Sequence, residues 1–531
     1  MAGNIHNIKM KHVLYVGKET FMYPFLFLDE KWKKKYTTAA LWINPHESGL
    51  TECDFNRSTF YEFRRRGIKE YTLDNAVKEF NKLVSSDLDY ELIQDLEEKY
   101  SRFKNFNQQI ISDQMMSVCY HTRDFNCPPT YEQQLLWLKC VYQRIEEILD
   151  DYCPDVIFDC DIAELPRTVL NEVAHKREIP YITINYPRYG LYKIPSYTLD
   201  IGIEKYFINK YQKYLNENNN EEMEYIRDYR KQSTIKNKMF MISGNPTYCY
   251  KVEPMLDTLK SIYGRWVYFK KEDKSKHNKL MKKQNPVIFV NSKKHLRFWV
   301  KDRLFRRYLY KTTKVFENPV EGEPYIYMPL HLVPESTTYC MAPFWINELS
   351  LIEAVSKALP AGWRLYVKEH QAMLGERSMD FYKHVKRIPN VRLVRFNFYD
   401  DPKPWIEKAK AVITITGTSA YEAALLGKPA YVFGDVPFAM IKGVTRVWSV
   451  EDLPDMLQAI RGVEDIDTIK ECAAYIRVVK EVGKSVDLGN IMNKAYNHLT
   501  KGTDLDEAFW NEIENLREFF EDAYEYAKER M

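Results

Sequence analysis

Short apolar runs alternate with amphipathic segments along much of the chain, and this alternation predicts parallel sheets joined by crossover helices. In the N-terminal half, apolar β-type runs begin at about His12, Ala39, Asp155 and Tyr181. Residues 55–150 lie between the second and third runs. They are charged, poor in glycine and proline, and predict a helical insertion. Residues 1–263 are therefore predicted to form a first α/β domain that carries this insertion.

The alternation becomes most regular from about Tyr325 onward. Five β-type runs separated by helix-like segments predict a second, doubly wound α/β domain over residues 321–490. These runs are YIYMPL, RLYVKEH, NVRLVRF, VITIT and AYVFG. Because ligands bind beyond the carboxyl ends of the strands in such sheets, the residues that follow these runs are the candidates for a site.

Two further segments differ from the rest in charge. Between Gly264 and Lys314 there are 17 Lys or Arg residues and three acidic residues, with aromatic side chains interleaved, so residues 264–320 predict a basic, aromatic linker. Residues 491–531 predict an acidic, amphipathic helical tail. A charged helix is most often a solvated face, and this interpretation is favoured. Contact of residues 264–314 with an anionic membrane surface, and docking of the acidic tail on the basic segment, stay open alternatives.

Composition narrows the class of protein. A chain of 531 residues is too long for one core, and its net charge of +3 favours no nucleic-acid partner. No two of the nine cysteines have Cys-x-x-Cys spacing, so a zinc knuckle or redox pair is not indicated. No secretory signal and no apolar run long enough to span a bilayer are recognised. The prediction is a cytoplasmic protein, with peripheral contact at the inner face of the cytoplasmic membrane left open.

The stretch ITITGTSAYEAALLGKPAYVFG, from Ile413 to Gly434, holds the most specific candidate chemistry. Gly417 permits a tight turn where a buried strand gives way to a helix, and Thr418 and Ser419 offer hydroxyl groups there. The N–H groups of a first helical turn favour an anion such as a phosphate, while Glu422 is a good acceptor for ribose hydroxyls. This corner predicts a nucleotide site. Taken alone, a plain capped helix explains it equally well.

Charged residues at other strand ends of the same domain add to this prediction. Lys368 and His370 end the run RLYVKEH, share one side of the strand, and can pair with phosphate oxygens. Arg377 follows as a further candidate anion contact, or as a surface salt bridge. His331 and Glu335 lie on a loop after YIYMPL and are candidates for the floor of the same cleft.

These motifs resemble those of the capsular polysaccharide biosynthesis glycosyltransferases. The resemblance rests on YMPLHLVPESTT, LPAGWRLYVKEH, GERSMDFY, ITGTSAYEAALLGKPAYVFG and GVTRV, in this order between about Tyr325 and Val447. That family is similar to bacterial sialic-acid and Kdo transferases of the GT-B fold. The resemblance implies two facing Rossmann-like domains with parallel sheets, helical insertions and a helical C-terminal tail. The C-terminal domain would bind the donor nucleotide, and the N-terminal domain the acceptor.

The resemblance also implies roles for individual residues. His370, Thr418 and Ser419 would contact the donor phosphate, and Glu422 would be the helix carboxylate. The implied donor is a CMP-linked acidic sugar such as Kdo or a sialic-acid-like nonulosonate, with no metal ion or other cofactor. The chain departs from the family's usual pattern at Gln371, Ser419-Ala420 and Phe438. None of these departures removes a phosphate contact.

The prediction of an acceptor site in the first domain depends on fewer residues. Asp159, Asp161 and Glu164 follow a strand of the first domain, and one of them is predicted to take the proton of the acceptor hydroxyl. Each carboxylate by itself is more often a loop cap or a solvated group. Arg188, after the next strand, is predicted to hold the carboxylate of an acidic sugar.

The sequence therefore predicts a metal-independent glycosyltransferase that moves a sugar from a nucleotide donor to a surface-glycan or glycolipid acceptor. A UDP-sugar glycosyltransferase or a nucleotide-sugar epimerase of the same fold is the first alternative. A non-enzymatic glycan-assembly protein at the membrane edge is the second, and its support is the basic, aromatic segment.

Overall fold

The computed structural model describes residues 11–32, 35–43, 62–101, 105–113, 129–198, 204–235, 252, 254–272 and 292–530. Thirteen strands lie in these ranges and form two sheets. They are β1 His12–Gly17, β2 Thr37–Trp42, β3 Lys69–Thr72, β4 Val156–Asp159, β5 Tyr181–Asn185, β6 Tyr192–Ser196, β7 Tyr325–Pro329, β8 Arg364–Lys368, β9 Val391–Val394, β10 Ala411–Thr414, β11 Ala430–Val432, β12 Val444–Arg446 and β13 Lys484–Ser485.

The first sheet has the strand order β13-β6-β5-β4-β1-β2-β3. Strands β1 to β5 are parallel, whereas β6 and β13 extend the sheet in antiparallel pairs. The second sheet has the order β12-β11-β10-β7-β8-β9 and is parallel throughout. In each sheet the chain order reverses beside the first strand, which places a topological switch point between β1 and β4 and another between β7 and β10. The prediction of two Rossmann-like α/β domains with parallel sheets is confirmed, with two antiparallel edge strands added.

Nineteen α-helices are described. They are α1 Tyr23–Trp32, α2 Asp74–Phe80, α3 Tyr90–Tyr100, α4 Phe106–Ile111, α5 Tyr131–Tyr152, α6 Leu165–Lys176, α7 Lys205–Tyr214, α8 Asn220–Lys231, α9 Met255–Glu272, α10 Ser292–Lys311, α11 Ser336–Met341, α12 Glu348–Ala358, α13 Met379–Arg387, α14 Lys403–Glu407, α15 Thr418–Leu426, α16 Leu453–Ala459, α17 Ile469–Val482, α18 Leu488–Lys501 and α19 Glu507–Arg530. None of these helices is long and apolar enough to cross a membrane.

Both sheets are covered on their two faces, which is why their central strands are continuous apolar runs. In β1, Val13 and Tyr15 enter one core while Leu14 and Val16 enter the other, as strand alternation requires. The helical insertion supplies the second of these cores through α2 to α5. The second sheet follows the same rule, with α12, α13 and α16 on one face and α14, α15 and α17 on the other.

The C-terminal tail returns to the first domain. Along α19, apolar side chains recur every three or four residues, and they face the first sheet; these are Phe509, Ile513, Leu516, Phe520 and Tyr524. Phe520 stacks on Phe158 of β4 with ring centroids 4.5 Å apart. The acidic tail thus docks on the first sheet through the apolar stripe of α19. The basic helix α10 packs on the second domain, where Tyr310 contacts Phe396.

Candidate functional site

The switch point of the second sheet is closed by a set of hydrogen bonds around His331. The backbone N–H of Thr416 donates to Nε2 of His331 over 3.2 Å, and the hydroxyl oxygen of Thr414 lies 3.1 Å from the same nitrogen. Because Nε2 accepts from a backbone N–H, this network assigns the proton of a neutral ring to Nδ1, 3.3 Å from Glu348 Oε1. His331 therefore ties the loop after β7 to the corner after β10.

Arg377 lies beneath this loop and not in the open cleft. Its Nη2 donates to the carbonyl oxygen of His331 over 2.7 Å, and its Nε donates to Glu369 over 3.1 Å. Burial acts to raise the pKa of Glu348, but Arg377 and the hydrogen bonds from His331 hold that pKa below its usual value. From the sequence, Arg377 was predicted to contact a donor anion or to form a surface salt bridge. The structure places it in a buried ion cluster with Glu348 and Glu369, where it supports the loop.

His370 and Lys368 lie at the end of β8, on the same edge. Nδ1 of His370 accepts the backbone N–H of Ala372 over 3.2 Å, so a neutral ring carries its proton on Nε2. Burial, reinforced by the positive charge of Lys368 and Arg377, lowers the pKa of His370 to about 3. This side chain is thus a neutral hydrogen-bond donor at physiological pH. Burial also lowers the pKa of Lys368, to about 8, against the opposing effect of Glu369 and Glu422.

The glycine-hydroxyl corner leads into α15. Gly417 is the N-cap residue, and any Cβ there would collide with the hydroxyl oxygen of Thr414, which accepts the Gly417 N–H at 3.1 Å. Thr416 Oγ1 and Ser419 Oγ are buried, and neither has a hydrogen-bond partner among the described residues. The methyl group of Thr416 faces Gly434. Two orphaned hydroxyls beside the N-terminus of a nine-residue helix fit an oxyanion such as a phosphate.

A cleft opens between the two domains in front of this corner. Both sheets contribute to it through the loops at their carboxyl edges. Its lining residues are Asp161, Ile162, Ile184, Asn185, Tyr186 and Arg188 from the first domain, and Thr337, Met341, Thr416, Val436, Pro437 and Phe438 from the second. The cleft thus joins the two strand edges that sequence analysis predicted to face each other.

The three candidate carboxylates of the first domain have different surroundings. Asp159 is fully buried and accepts hydrogen bonds from Arg167 Nε and the Tyr181 hydroxyl, each 2.6 Å long. Burial raises the pKa of Asp159, although Arg167 opposes this shift. Glu164 accepts a hydrogen bond from Lys18 across the β1–β4 switch point. Asp161 lines the cleft.

Asp159 and Glu164 are each paired with a basic side chain of the first domain. Of the three carboxylates, Asp161 is the one that lines the cleft. Arg167 Nη1 lies 3.4 Å from Asp161 Oδ2 and fixes its side chain.

Arg188 of the first domain lines the cleft, and it acts electrostatically on Glu422 of the second domain. Arg188 has a left-handed backbone conformation (φ 71°), which is uncommon for arginine, and its Nε atom is buried with no hydrogen-bond partner among the described residues. Burial, reinforced by Asp401, raises the pKa of Glu422 to about 7, while Arg188 and Lys368 act to lower it. Glu422 therefore lies within electrostatic reach of a cation from each domain.

The structure brings His331, Lys368, His370, Gly417, Thr418, Ser419 and Glu422 to one edge of the second sheet. Glu335 precedes α11 and lies two residues from Thr337, which lines the cleft. Thr416, Asn185 and Tyr186 were not among the residues predicted from the sequence. A signal was present for all three, since each follows or ends a predicted strand at the carboxyl edge.

Comparison with known proteins gives no family assignment: no family model and no curated protein matches the sequence. Several solved structures are similar in architecture. The KpsC β-Kdo 2,4-transferase of Thermosulfurimonas dismutans is 11% identical, with 65% of this chain and 87% of that chain covered and a TM-score of 0.30. The KpsC β-Kdo 2,7-transferase of the same organism is 12% identical, with 67% and 89% covered and a TM-score of 0.28.

The UDP-GlcNAc 2-epimerase of Methanocaldococcus jannaschii, in complex with UDP-GlcNAc and UDP, is 9% identical, with 89% of this chain and 100% of that chain covered and a TM-score of 0.27. At these values the likeness carries no conclusion about activity.

Proposed function

We propose that this protein is a glycosyltransferase that uses a nucleotide-sugar donor, with the donor phosphate at the N-terminus of α15. The observation that supports this most directly is the pair of buried hydroxyls without partners, Thr416 Oγ1 and Ser419 Oγ, beside that helix terminus. Polar atoms buried in this way are rare unless a ligand or water satisfies them. A phosphate supplies acceptor oxygens for hydroxyl and N–H donors together.

The donor we favour is a CMP-linked acidic sugar. Lys368 and Arg188 supply positive charge at the cleft, whereas Glu422 suits a ribose hydroxyl. Arg188 has the fork geometry that binds a sugar carboxylate through two hydrogen bonds. Its buried Nε atom offers one of these donors.

In this proposal the residues have separate tasks in the transfer. The bond between the anomeric carbon and the phosphate oxygen breaks, and negative charge builds up on the departing phosphate. The N–H groups of α15, the Nε2–H of His370 and the ammonium group of Lys368 stabilise that charge. Asp161 accepts the proton of the acceptor hydroxyl while the hydroxyl oxygen bonds to the anomeric carbon. Protein groups alone supply this charge stabilisation, so the proposal includes no metal ion.

Thermal protection by free nucleotides tests the donor class. We expect CMP to raise the melting temperature of the full chain more than UDP or GDP at equal concentration. Protection by UDP alone would move the proposal to a UDP-sugar enzyme. If none of the three nucleotides protects the chain, the proposed nucleotide site is excluded.

A second experiment tests the role of His370. The His370→Ala variant should lose transfer activity while it keeps the far-UV circular dichroism of the native chain. His384→Ala is the matched control, because His384 is exposed and bonded to Glu353 of α12. Unchanged transfer by His370→Ala would exclude this residue from the site.

The epimerase alternative differs in its need for an acceptor. Incubation with UDP-GlcNAc alone, followed by product analysis, separates the two reactions, because an epimerase converts the free nucleotide sugar. The acceptor we propose is a surface glycan or glycolipid, made at the inner face of the cytoplasmic membrane. The third candidate, a non-enzymatic assembly protein, predicts nucleotide binding with neither transfer nor epimerisation.

A further inference from the structure

Helix α9 has an apolar stripe that faces solvent. Leu256, Leu259, Tyr263, Trp266 and Val267 recur at three- and four-residue spacing, so they share one side of the helix. Leu256 is 71% exposed, Tyr263 65% and Leu259 54%. The adjoining side of α9 packs on α10, where Arg265 lies over the ring of Trp299. Contiguous exposed apolar side chains on one helix face indicate a surface that is covered by something else.

Helix α10 has an exposed face of mostly basic character. The exposed residues along this face recur with the helical period, and they are Lys293, Arg297, Lys301, Leu304, Tyr308 and Lys311. Other faces of α10 are occupied, since Phe305 and Tyr310 pack on the second domain and Trp299 lies under Arg265 of α9. On α9, Lys270 lies 4.6 Å from the ring centroid of Trp266, which places a cation beside an apolar stripe.

We propose that the apolar stripe of α9 and the basic face of α10 together dock the protein on an anionic lipid bilayer. We call these two exposed surfaces the docking face. Charge complementarity favours a bilayer over other occupants, because residues 264–314 carry 17 basic and three acidic residues. Trp and Tyr side chains with flanking Lys and Arg are typical of helices that lie in the membrane interface.

The docking face adjoins the edge of the second sheet that holds the proposed donor site. A Cβ on Gly375 would lie 2.7 Å from the Asp302 carbonyl oxygen and 2.9 Å from Arg306 Cβ, so α10 sits directly against the loop that follows His370. Docking would thus hold this edge close to the bilayer surface. It follows, on the basis of the proposed function, that the acceptor of the transfer is linked to a membrane lipid.

Vesicle co-sedimentation of the full chain tests the docking. Vesicles of phosphatidylcholine with about one third phosphatidylglycerol should bind the protein, and pure phosphatidylcholine vesicles should bind it at least about tenfold more weakly. Binding should weaken as salt is raised, because screening acts on exposed charges. Failure to bind the anionic vesicles, or equal binding to both kinds at all salt concentrations, would overturn the proposal.

Two double variants separate the parts of the docking face. Arg297→Glu with Lys301→Glu should weaken anionic-vesicle binding by roughly fivefold or more for each charge, since each base near such a surface contributes about 1 kcal/mol. Leu259→Ser with Trp266→Ser should weaken it about tenfold or more. The matched control is Val84→Ser with Ile111→Ser, which removes two exposed apolar side chains from the first domain. If both test variants bind like the native chain, a different surface makes the contact.

Two further measurements distinguish membrane docking from self-association and from nucleotide binding. Sedimentation velocity without vesicles should show a monomer; a dimer that the Leu259→Ser and Trp266→Ser pair dissociates would assign the stripe to self-association and overturn membrane docking. Thermal protection by CMP should be the same in all these variants. Variants that lose vesicle binding but keep protection by CMP would support the docking face independently of the nucleotide site. Absence of protection by CMP in the native chain would count against the proposed function.

Discussion

The backbone N–H of Thr416 bonds to Nε2 of His331 over 3.2 Å, and this bond joins the two strand ends at the switch point of the second sheet. It orients the corner from which α15 starts, and it requires an unprotonated Nε2. His331 was predicted as part of the cleft floor. Its hydrogen bonds make it a positioning residue that acts through Thr416 and the α15 N-terminus.

Replacement of His331 by phenylalanine keeps a ring of similar size but removes the acceptor. We expect a loss of roughly 1–3 kcal/mol in the free energy of unfolding, the usual cost of leaving a buried donor unsatisfied. Nucleotide affinity should fall as well, because the corner loses its tie to β7. Urea denaturation and CMP titration measure the two effects. His384→Phe, at an exposed histidine, should change neither.

Gly417→Ala should weaken nucleotide binding through backbone displacement. The added Cβ would collide with Thr414 Oγ1 and would also lie 3.4 Å from both His331 Nε2 and Ser419 Oγ. The start of α15 has to shift, and the N–H groups of its first turn shift with it. Gly462→Ala is the matched control, since no atom lies within 4 Å of a Cβ there. Equal CMP affinity in the two variants would show that the corner does not hold the phosphate.

Central strands could be predicted from the sequence because both of their faces are buried and their residues are apolar throughout. Of the four edge strands, β9 lies within the predicted run NVRLVRF, but the other three could not be predicted in this way. β3 reads Lys-Glu-Tyr-Thr and β12 reads Val-Thr-Arg, with one buried residue each, so neither stands out as an apolar run. β13 has two residues and joins a sheet formed nearly 300 positions earlier in the chain.

The placement of site residues on one sheet edge was predictable for the same reason, since strand ends follow from strand positions. The roles of Asp159 and Arg377 could not be predicted from the sequence. A charged side chain is normally exposed, and each of these is buried because a partner from another element compensates its charge. Arg167 on α6 pairs with Asp159, and Glu348 on α12 pairs with Arg377. Such partners become visible once the elements are packed together.

Glu422 should make stability depend on pH. Burial, with Asp401, raises its pKa from 4.5 to about 7 in the folded chain, so between these values the folded state keeps a proton that the unfolded state has lost. The contribution of Glu422 to stability therefore falls as pH rises through this window and levels off above about 7.

The Glu422→Gln variant should lack this fall. Its melting temperature relative to the native chain should thus increase between pH 5 and pH 8, which differential scanning calorimetry measures at several pH values. Glu224→Gln, at an exposed carboxylate of α8, should give a constant difference. Parallel curves for Glu422→Gln and the native chain would contradict the assignment.

The Arg188→Asn variant should lower the affinity for the donor while it leaves the stability of the fold nearly unchanged. Asparagine tolerates the left-handed backbone conformation at this position (φ 71°), so the melting temperature should change by less than about 3 °C. The guanidinium group is lost, and affinity for a donor with a carboxylate should fall at least about tenfold, the cost of one charge-assisted bond. Affinity for CMP itself should fall less. Isothermal titration with CMP and with a CMP-linked acidic sugar compares the two; an equal loss for both would place Arg188 on the nucleotide instead.

Asp161 and Asp159 lie two residues apart, and their amide variants should fail in different ways. Asp161→Asn should lower the transfer rate at least about a hundredfold, since general-base catalysis contributes that much, and should leave CMP protection and melting temperature nearly unchanged. Asp159→Asn leaves the buried Arg167 guanidinium without its carboxylate, so it should cost about 3–5 kcal/mol of stability.

Kinetics and calorimetry on the two variants, side by side, check both expectations. Because each change replaces one carboxylate by an isosteric amide, the pair controls for size. A large rate loss in Asp159→Asn, with native stability, would place the proton acceptor beneath the sheet edge and move it away from the cleft.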